Sequence, residues 1–275
     1  MRTLIAVASA ALALVLTPLV SPASYAGDDP LTYPTSPEGD PPGANDWSCQ
    51  PTAQRPTPVI LVHGTFGDRK HLLERLSLVI KNEGFCVFSL DYGNRGTGDI
   101  AESARQLKRF TERVLEATGA AQVSMVGHSQ GGMMPRHYIK FLGGAAVVDD
   151  LVGVAPSNHG TSASEGGGGG TPGCRACEQQ GSGSAFLRDL NAGDETPGDV
   201  SYTQITTAYD EVVVPHTSGY LAEGPRTTNL TIQDICPADP AEHLLIPLST
   251  TTINITLDAL TRPGPARQDS QVACF

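Results

Sequence analysis

Short apolar runs recur along the chain from residue 58 onwards, and turn residues bound most of them. The first run, PVILV, is β-branched and does not alternate with polar residues. Such a run is typical of a strand that is buried on both faces of a parallel sheet. The predicted strands are Pro58–Val62, Phe85–Leu90, Val123–Val126, Leu151–Ala155, Tyr202–Thr207 and Thr227–Ile235.

Amphipathic segments separate these runs. Between the first two strands, apolar residues recur at helical spacing from Leu72 to Ile80 and stop before Gly84. Further helices are predicted at Ile100–Thr118, Met133–Leu142, Phe186–Asn191 and Ser249–Leu260. The alternation of strands with helices predicts an α/β fold with a mostly parallel central sheet and helices on both faces.

The N-terminal segment has the pattern of a secretory signal peptide. Arg2 precedes an uncharged apolar run from Leu4 to Leu16, and small residues end at Ala26. We therefore expect residues 1–26 to be removed after about Ala26 and the protein to be secreted and extracellular. The run is too short for a comfortable membrane span, and no other stretch is long enough.

Residues 27–57 are rich in Pro, Gly and Asp and predict an irregular arm, which leaves residues 58–275 as one domain. Within that domain, residues 162–184 break the rhythm of strands and helices. They include five consecutive glycines, 166–170, which carry a large ordering cost. We expect a flexible excursion there, either a surface loop or a flap over a pocket.

Charge and cysteine content narrow the class of protein. Charged residues make up 17% of the chain, and the net charge is −11 at pH 7. An acidic surface repels nucleic acid, so no such partner is expected.

Six cysteines behind a signal peptide predict three disulfides. Cys174 and Cys177 have the spacing of half a zinc site, but no second pair accompanies them, so we expect a loop disulfide and no metal.

The strongest motif is Gly127-His128-Ser129-Gln130-Gly131. A predicted strand precedes it and a predicted helix follows, which is the context of a G-x-S-x-G nucleophile elbow. The serine of such a turn has a strained backbone, and glycines two residues away avoid a clash with the flanking elements. The motif predicts that Ser129 is the nucleophile of an α/β-hydrolase.

A serine hydroxyl needs a histidine base and an orienting carboxylate. In this fold the chain order is Ser, then Asp or Glu, then His, which leaves His243 and His216 as candidates for the base. We select Asp210, which follows a predicted strand directly, and His243, which lies in a loop after the next strand. The alternative acids are Glu211, Asp199, Asp234 and Asp239.

An acyl-transfer site also needs hydrogen-bond donors for the oxyanion. The backbone N–H groups of Gln130, which follows the nucleophile, and of the Gly64-Thr65 turn after the first strand are the candidates.

These residues resemble a known family. Ser129-Gln130-Gly131-Gly132, Ala155-Pro156 and Asp210-Glu211-Val212 are similar to segments of the secreted class 2 lipases and of yeast lipase B. The resemblance implies a triad of Ser129, Asp210 and His243, with an oxyanion hole at Thr65 and Gln130. It also implies the disulfides Cys49–Cys86 and Cys236–Cys274, which leaves Cys174 with Cys177. Two features depart from the yeast enzyme: His63 replaces a proline, and the glycine-rich excursion has no clear counterpart.

We therefore expect a monomeric serine esterase or lipase that cleaves lipid or fatty-acyl esters through an acyl-enzyme, without a cofactor. Its substrate is an acyl ester, which an oil–water interface would supply. Two alternatives use the same triad, an acyltransferase and a polyester-degrading esterase. A third alternative is a non-catalytic binding protein on a hydrolase scaffold.

Overall fold

The computed structural model describes residues 39–70, 72–162, 171–269 and 272–274. The predicted signal peptide, residues 1–26, and the glycine run 166–170 lie outside the described residues and stay predictions. Within the described part of the chain, none of the helices has both the length and the apolar character needed to cross a bilayer.

A six-stranded sheet forms the centre of the structure, and every neighbouring pair of strands is parallel. Its order is β2-β1-β3-β4-β5-β6. The direction of winding reverses between β1 and β3, and parallel folds place their ligand sites at the carboxyl ends of strands beside such a reversal. The strands are β1 (Val59–Val62), β2 (Val87–Leu90), β3 (Val123–His128), β4 (Val148–Val154), β5 (Ser201–Thr206) and β6 (Thr227–Thr231).

The helices cover both faces of the sheet, as the sequence predicts. They are α1 (Glu74–Asn82), α2 (Gly93–Gly96, a single irregular turn), α3 (Ile100–Thr118), α4 (Gln130–Phe141), α5 (Arg175–Gln179), α6 (Ala185–Asn191), α7 (Ile232–Ile235) and α8 (Thr250–Thr261). The longest, α3, packs with α4 on one face, and α1 packs with α8 on the other.

Strand β1 supplies side chains to both halves of the core. Ile60 and Val62 pack in the cluster with Leu107 of α3, whereas Val59 and Leu61 pack in the cluster with Leu76 of α1. All four β1 residues are completely buried. Burial on both faces explains why this run is uniformly apolar and does not alternate.

Two parts of the predicted secondary structure are wrong. Thr227–Ile235 was expected to be one strand, but β6 ends at Thr231 and the helical turn α7 follows. The pairing of β5 with β6 stops at Thr206 and Thr231, so the chain beyond Thr231 has no partner strand. No helix was predicted within residues 162–184, yet the described part of this excursion contains helix α5.

Three disulfides join the cysteine pairs that the resemblance implied. Cys49–Cys86 ties the N-terminal arm to the start of β2, Cys236–Cys274 ties the end of the chain to α7, and Cys174–Cys177 closes a turn at α5. The first of these bonds acts together with backbone pairing, because Asn45 in the arm donates its N–H to the carbonyl of Val87. All three disulfides are consistent with an oxidising compartment.

Candidate active site

Ser129 lies on the sharp turn between β3 and α4, at the carboxyl end of the sheet. Its backbone has φ 56° and ψ −124°, a conformation that non-glycine residues rarely adopt. The turn puts the hydroxyl above the sheet edge while its backbone N–H donates to the carbonyl of Val154. The strained turn is the one predicted from the sequence motif.

The glycines of the motif are required by the close approach of backbone segments. A Cβ atom on Gly127 would lie 1.9 Å from the carbonyl oxygen of Gly131, and one on Gly131 would lie 2.2 Å from the carbonyl oxygen of Val62. Both distances are far inside van der Waals contact. Only glycine at these positions lets α4 start directly against the ends of β1 and β3.

The structure brings Asp210, His243 and Ser129 into one hydrogen-bonded line. His243 Nε2 lies 3.1 Å from Ser129 Oγ, and His243 Nδ1 lies 2.9 Å from Asp210 Oδ2. The side chains of Asp210 and His243 are 1% and 3% exposed, so water competes little for these bonds. This order of groups can remove a proton from the serine hydroxyl and stabilise the resulting imidazolium.

Backbone groups hold the carboxylate of Asp210 in place. Its Oδ1 accepts hydrogen bonds from the N–H groups of Val212 and Val213, at 3.0 Å and 2.7 Å. This leaves Oδ2 directed at His243. The Asp-Glu-Val segment therefore folds into a tight turn whose amides orient one carboxylate oxygen.

His128 holds the loop that carries His243. Its Nε2 lies 2.8 Å from the backbone carbonyl oxygen of His243. Burial, together with the nearby His243 ring, lowers the pKa of His128 to about 3, so the ring is neutral at working pH. A carbonyl can only accept, so Nε2 carries the ring's hydrogen and donates it. The motif marked His128 only as the residue before the nucleophile, and its contact with His243 was missed.

Among the described histidines, none besides His243 has a side-chain hydrogen bond to Ser129. His216 stacks edge-on against Tyr220, and His137 lies against the rings of Phe141 and Phe186. His159 forms a 2.9 Å ion pair with Glu195, which raises the pKa of the His159 ring.

His63 lies close to the site without joining the line of hydrogen bonds. Its ring stacks on Tyr92 with centroids 4.3 Å apart, and burial lowers its pKa.

Two of the alternative acids have partners elsewhere. Asp199 pairs with Arg226, and Asp239 accepts hydrogen bonds from the hydroxyls of Ser249 and Thr251. Glu211 lines the cavity but is exposed, and it is Asp210 that accepts the hydrogen bond from His243 Nδ1. Among the described residues, Asp234 forms no hydrogen bond or ion pair with a histidine.

Thr65 and Gln130, the predicted oxyanion donors, contact each other through their side chains. Gln130 is the first residue of α4, so its backbone N–H has no earlier carbonyl of the helix to bond. Thr65 lies in the turn after β1 and lines the same cavity as Ser129. Its hydroxyl oxygen contacts the side-chain nitrogens of Gln130 and Gln180, at 3.1 Å and 3.0 Å. No motif or spacing in the sequence pointed to Gln180.

A cavity of about 650 Å³ opens above Ser129. Its apolar wall comes from the turn after β1 and from the segments that carry Asp210 and His243: Phe66, Leu72, Leu73, Val212, Val213 and Leu244. Its polar lining includes Ser157, Thr161 and Gln180. Residues 163–170 lie outside the described residues, so the prediction of a flap there stays a prediction. In the described ranges, no cluster of three His, Cys, Asp or Glu side chains has the arrangement of a metal site.

Known proteins share both the sequence pattern and the fold. A family model described as Lipase (class 2) matches residues 56–251. The chain is 31% identical over 164 residues to a triacylglycerol lipase of Burkholderia plantarii, a match that covers 55% of this chain and 39% of the relative. It is 34% identical over 107 residues to a triacylglycerol lipase of Pseudarthrobacter phenanthrenivorans, covering 34% of this chain and 30% of the relative. The matches therefore span well under half the length of these two relatives.

Two solved structures support the fold. Lipase B of Aspergillus fumigatus superposes with a TM-score of 0.66 at 21% identity and covers 86% of this chain and 65% of its own. The mature form of lipase BlEst2 of Bacillus licheniformis superposes with a TM-score of 0.61 at 13% identity and covers 78% and 95%.

At these identities the structural likeness establishes the fold alone, and it confirms the predicted α/β-hydrolase fold. The family model covers well over half of the 275 residues and includes Ser129, Asp210 and His243. The chain belongs to the class 2 lipase family.

Proposed function

We propose that this chain is a lipolytic carboxylic-ester hydrolase whose catalytic triad is Ser129, His243 and Asp210. The observation that carries the proposal is the continuous line of hydrogen bonds from Asp210 Oδ2 through the His243 ring to Ser129 Oγ. Membership of the class 2 lipase family supports the same chemistry.

The reaction proceeds in two halves. Ser129 Oγ attacks the ester carbonyl carbon while His243 Nε2 takes its proton, and Asp210 stabilises the imidazolium. The tetrahedral intermediate collapses, His243 gives the proton to the leaving alcohol, and an acyl-enzyme remains. Water then attacks this ester with His243 as base, and the fatty acid leaves. The oxyanion of both intermediates accepts hydrogen bonds from the backbone N–H groups of Thr65 and Gln130 and from the Thr65 hydroxyl.

Turnover of a chromogenic p-nitrophenyl ester series tests the proposal. Ser129→Ala removes the attacking atom and leaves the fold intact, so we expect kcat to fall by about 10⁴-fold or more. Equal turnover by the variant and the parent protein would refute the triad. Added alcohol separates hydrolysis from acyl transfer, because a transferase would release the acyl group as a new ester. A polyester film tests the remaining alternative substrate.

The substrate class we propose is a fatty-acyl ester presented at a lipid surface. Phe66 and Leu244 line the cavity, and each is 52% exposed. Leu245, at 51%, and Tyr209, at 54%, are the chain neighbours of Leu244 and Asp210 and add exposed apolar surface. An exposed apolar patch of this kind beside a site is typical of a surface that contacts a lipid or a partner. Because Phe66 and Leu244 belong to both the patch and the cavity lining, such a contact would place the cavity against the lipid.

Leu245→Ser tests this surface, because Leu245 is exposed but does not line the cavity. We expect slower hydrolysis of emulsified triacylglycerol and unchanged turnover of a soluble short-chain ester. Leu78→Ser is the matched control, since Leu78 is 47% exposed on α1 and also outside the cavity lining. Identical emulsion activity in the two variants would favour a soluble-ester esterase.

We also propose that the protein is secreted after cleavage behind Ala26. The three disulfides support export to an oxidising compartment. Mass spectrometry of protein from the culture medium should give a chain that starts at Gly27. An intact N-terminus in cell extract alone would contradict this.

A further inference from the structure

The hydroxyl of Thr65 lies between two glutamine side chains from distant parts of the chain. Gln130 Nε2 is 3.1 Å and Gln180 Nε2 is 3.0 Å from Thr65 Oγ1. Gln130 is completely buried and Gln180 is 8% exposed, so both amides are largely shielded from water. A single hydroxyl with two amide neighbours has a restricted set of hydrogen-bonding roles.

Backbone carbonyls fix the orientation of both amides. Gln130 Nε2 lies 2.7 Å from the carbonyl oxygen of Gly96, and Gln180 Nε2 lies 3.2 Å from that of Ala176. A carbonyl only accepts, so the atom facing it must be the amide nitrogen. The oxygen of Gln180 accepts from the Ser157 hydroxyl at 2.9 Å, which agrees with this orientation. Each NH₂ group therefore uses one hydrogen on a carbonyl and has one left for Thr65.

Two incoming N–H donors occupy both lone pairs of the Thr65 oxygen. Its own hydrogen must then point away from the glutamines, and within the described part of the chain it has no acceptor. Thr65 lines the cavity that contains Ser129, so the free hydrogen faces the space where substrate binds. The glutamines thus turn a rotatable hydroxyl into a fixed donor.

We propose that Gln180 and the side chain of Gln130 are positioning residues that hold the Thr65 hydroxyl as a donor to the oxyanion. The inference rests on the proposed ester hydrolysis and deepens it. A donor aimed in advance at developing charge needs no reorganisation during the reaction, and this is the property that makes oxyanion holes effective. A threonine without the two amides would spend part of its time donating to water or to a neighbouring carbonyl.

Gln180→Glu tests the orientation, because the change keeps the shape and replaces a donor with an acceptor. The carboxylate would accept the Thr65 hydrogen and turn the hydroxyl away from the cavity. It would also place a negative charge near the oxyanion, so its effect must be measured in two backgrounds. Thr65→Val supplies the second background, since it removes the hydroxyl and keeps the shape and the backbone N–H.

We expect Thr65→Val alone to lower kcat by about 10²-fold with little change in KM, as loss of one oxyanion donor does. Gln180→Glu should lower kcat at least about 10-fold more when Thr65 is present than in the Thr65→Val background, a coupling that contacting residues typically reach. The charge acts in both backgrounds, so the difference reports the hydroxyl alone. Gln180→Met, which only deletes the amide, should lower kcat less than Gln180→Glu.

Equal losses from Gln180→Glu in the two backgrounds would overturn the inference and leave the triad untouched. Turnover by Ser129→Ala equal to that of the parent protein would instead overturn the proposed function. Thermal melting of each variant separates misfolding from catalysis. The coupling is compared only among variants that melt at the same temperature as the parent protein. Gln180→Asn carries the same amide on a shorter side chain that should not reach Thr65, so full activity in that variant would contradict the inference.

Discussion

At the residue scale, the hydrogen bond from His128 to the carbonyl of His243 links the nucleophile turn directly to the loop that carries the base. The two rings lie 5.0 Å apart, and the 2.8 Å bond fixes the backbone on which the His243 imidazole is mounted. His128 is neutral because burial lowers its pKa to about 3. It therefore acts as a fixed donor and takes no part in proton transfer at working pH.

His128→Leu should weaken both stability and catalysis. The change leaves the buried His243 carbonyl without a donor, which costs about 1–3 kcal/mol. A displaced imidazole lowers kcat, and misplacement by 1 Å costs about 10²-fold. We expect a lower kcat, a nearly unchanged KM and no new inflection in the pH–rate profile between about pH 5 and 9, since His128 does not titrate there.

His128→Gln is the matched control because its amide keeps an N–H donor at similar reach. It should retain more activity and more thermal stability than His128→Leu. If both variants matched the parent protein in kcat, the link between the two loops would have no catalytic effect.

At the scale of elements, Asp99 joins helix α3 to helix α5 beside the cavity. Its Oδ1 accepts from the N–H of Glu102 and so caps the first turn of α3. Its Oδ2 accepts from Gln179 Nε2 at 2.9 Å, and Gln179 is the neighbour of Gln180. Asp99 therefore caps α3 and also binds the last residue of α5, next to Gln180, which lines the cavity.

Asp99→Ala should destabilise the protein by about 1 kcal/mol, the usual cost of losing an N-cap. For a domain of this size the melting temperature should fall by about 2–4 °C. Asp99→Ser keeps a cap oxygen but loses the contact with Gln179, so it should recover part of the loss. Calorimetry compares the two, and an Asp99→Ala variant as stable as the parent would contradict the capping role.

At the scale of the whole molecule, the buried carboxyl group of Asp150 makes the free energy of unfolding fall as pH rises. Burial, with a smaller effect of Asp149, raises the pKa of Asp150 in β4 to about 8. Its ordinary value in an unfolded chain is about 3.9. Between these values the folded protein holds a proton that the unfolded chain releases, so stability falls as pH rises from about 4 to about 8.

Asp150→Asn should remove this pH dependence. We expect its melting temperature to exceed that of the parent protein by at least about 2 °C at pH 8 and by less at pH 5. Asp150 pairs in register with Ser201 at the start of β5, at the opposite end of the sheet from Ser129, so kcat should not change. Asp194→Asn removes an exposed carboxylate and so controls for the change in net charge. A gain that is equal at both pH values would contradict the raised pKa.

Local chemistry made several features predictable. Apolar spacing predicted a helix at Ile100–Thr118, and α3 has the same bounds, with Asp99 as its N-cap and Gly119 as its C-cap. The nucleophile turn was predictable because five adjacent residues form it. Any side chain at its two glycine positions would clash with neighbouring backbone. The end of β6 was not predictable, because it depends on where its partner β5 stops.

The sequence by itself determined the α/β alternation, the strained turn at Ser129 and the order in which an acid and a base must follow it, since each is a property of neighbouring residues or of a pattern along the chain. The tertiary structure decided which histidine lies against Ser129, where the strands pair, and that Gln180 meets Thr65 from 115 positions away. Those contacts depend on how distant loops converge above the sheet, and no periodicity or short motif encodes that convergence.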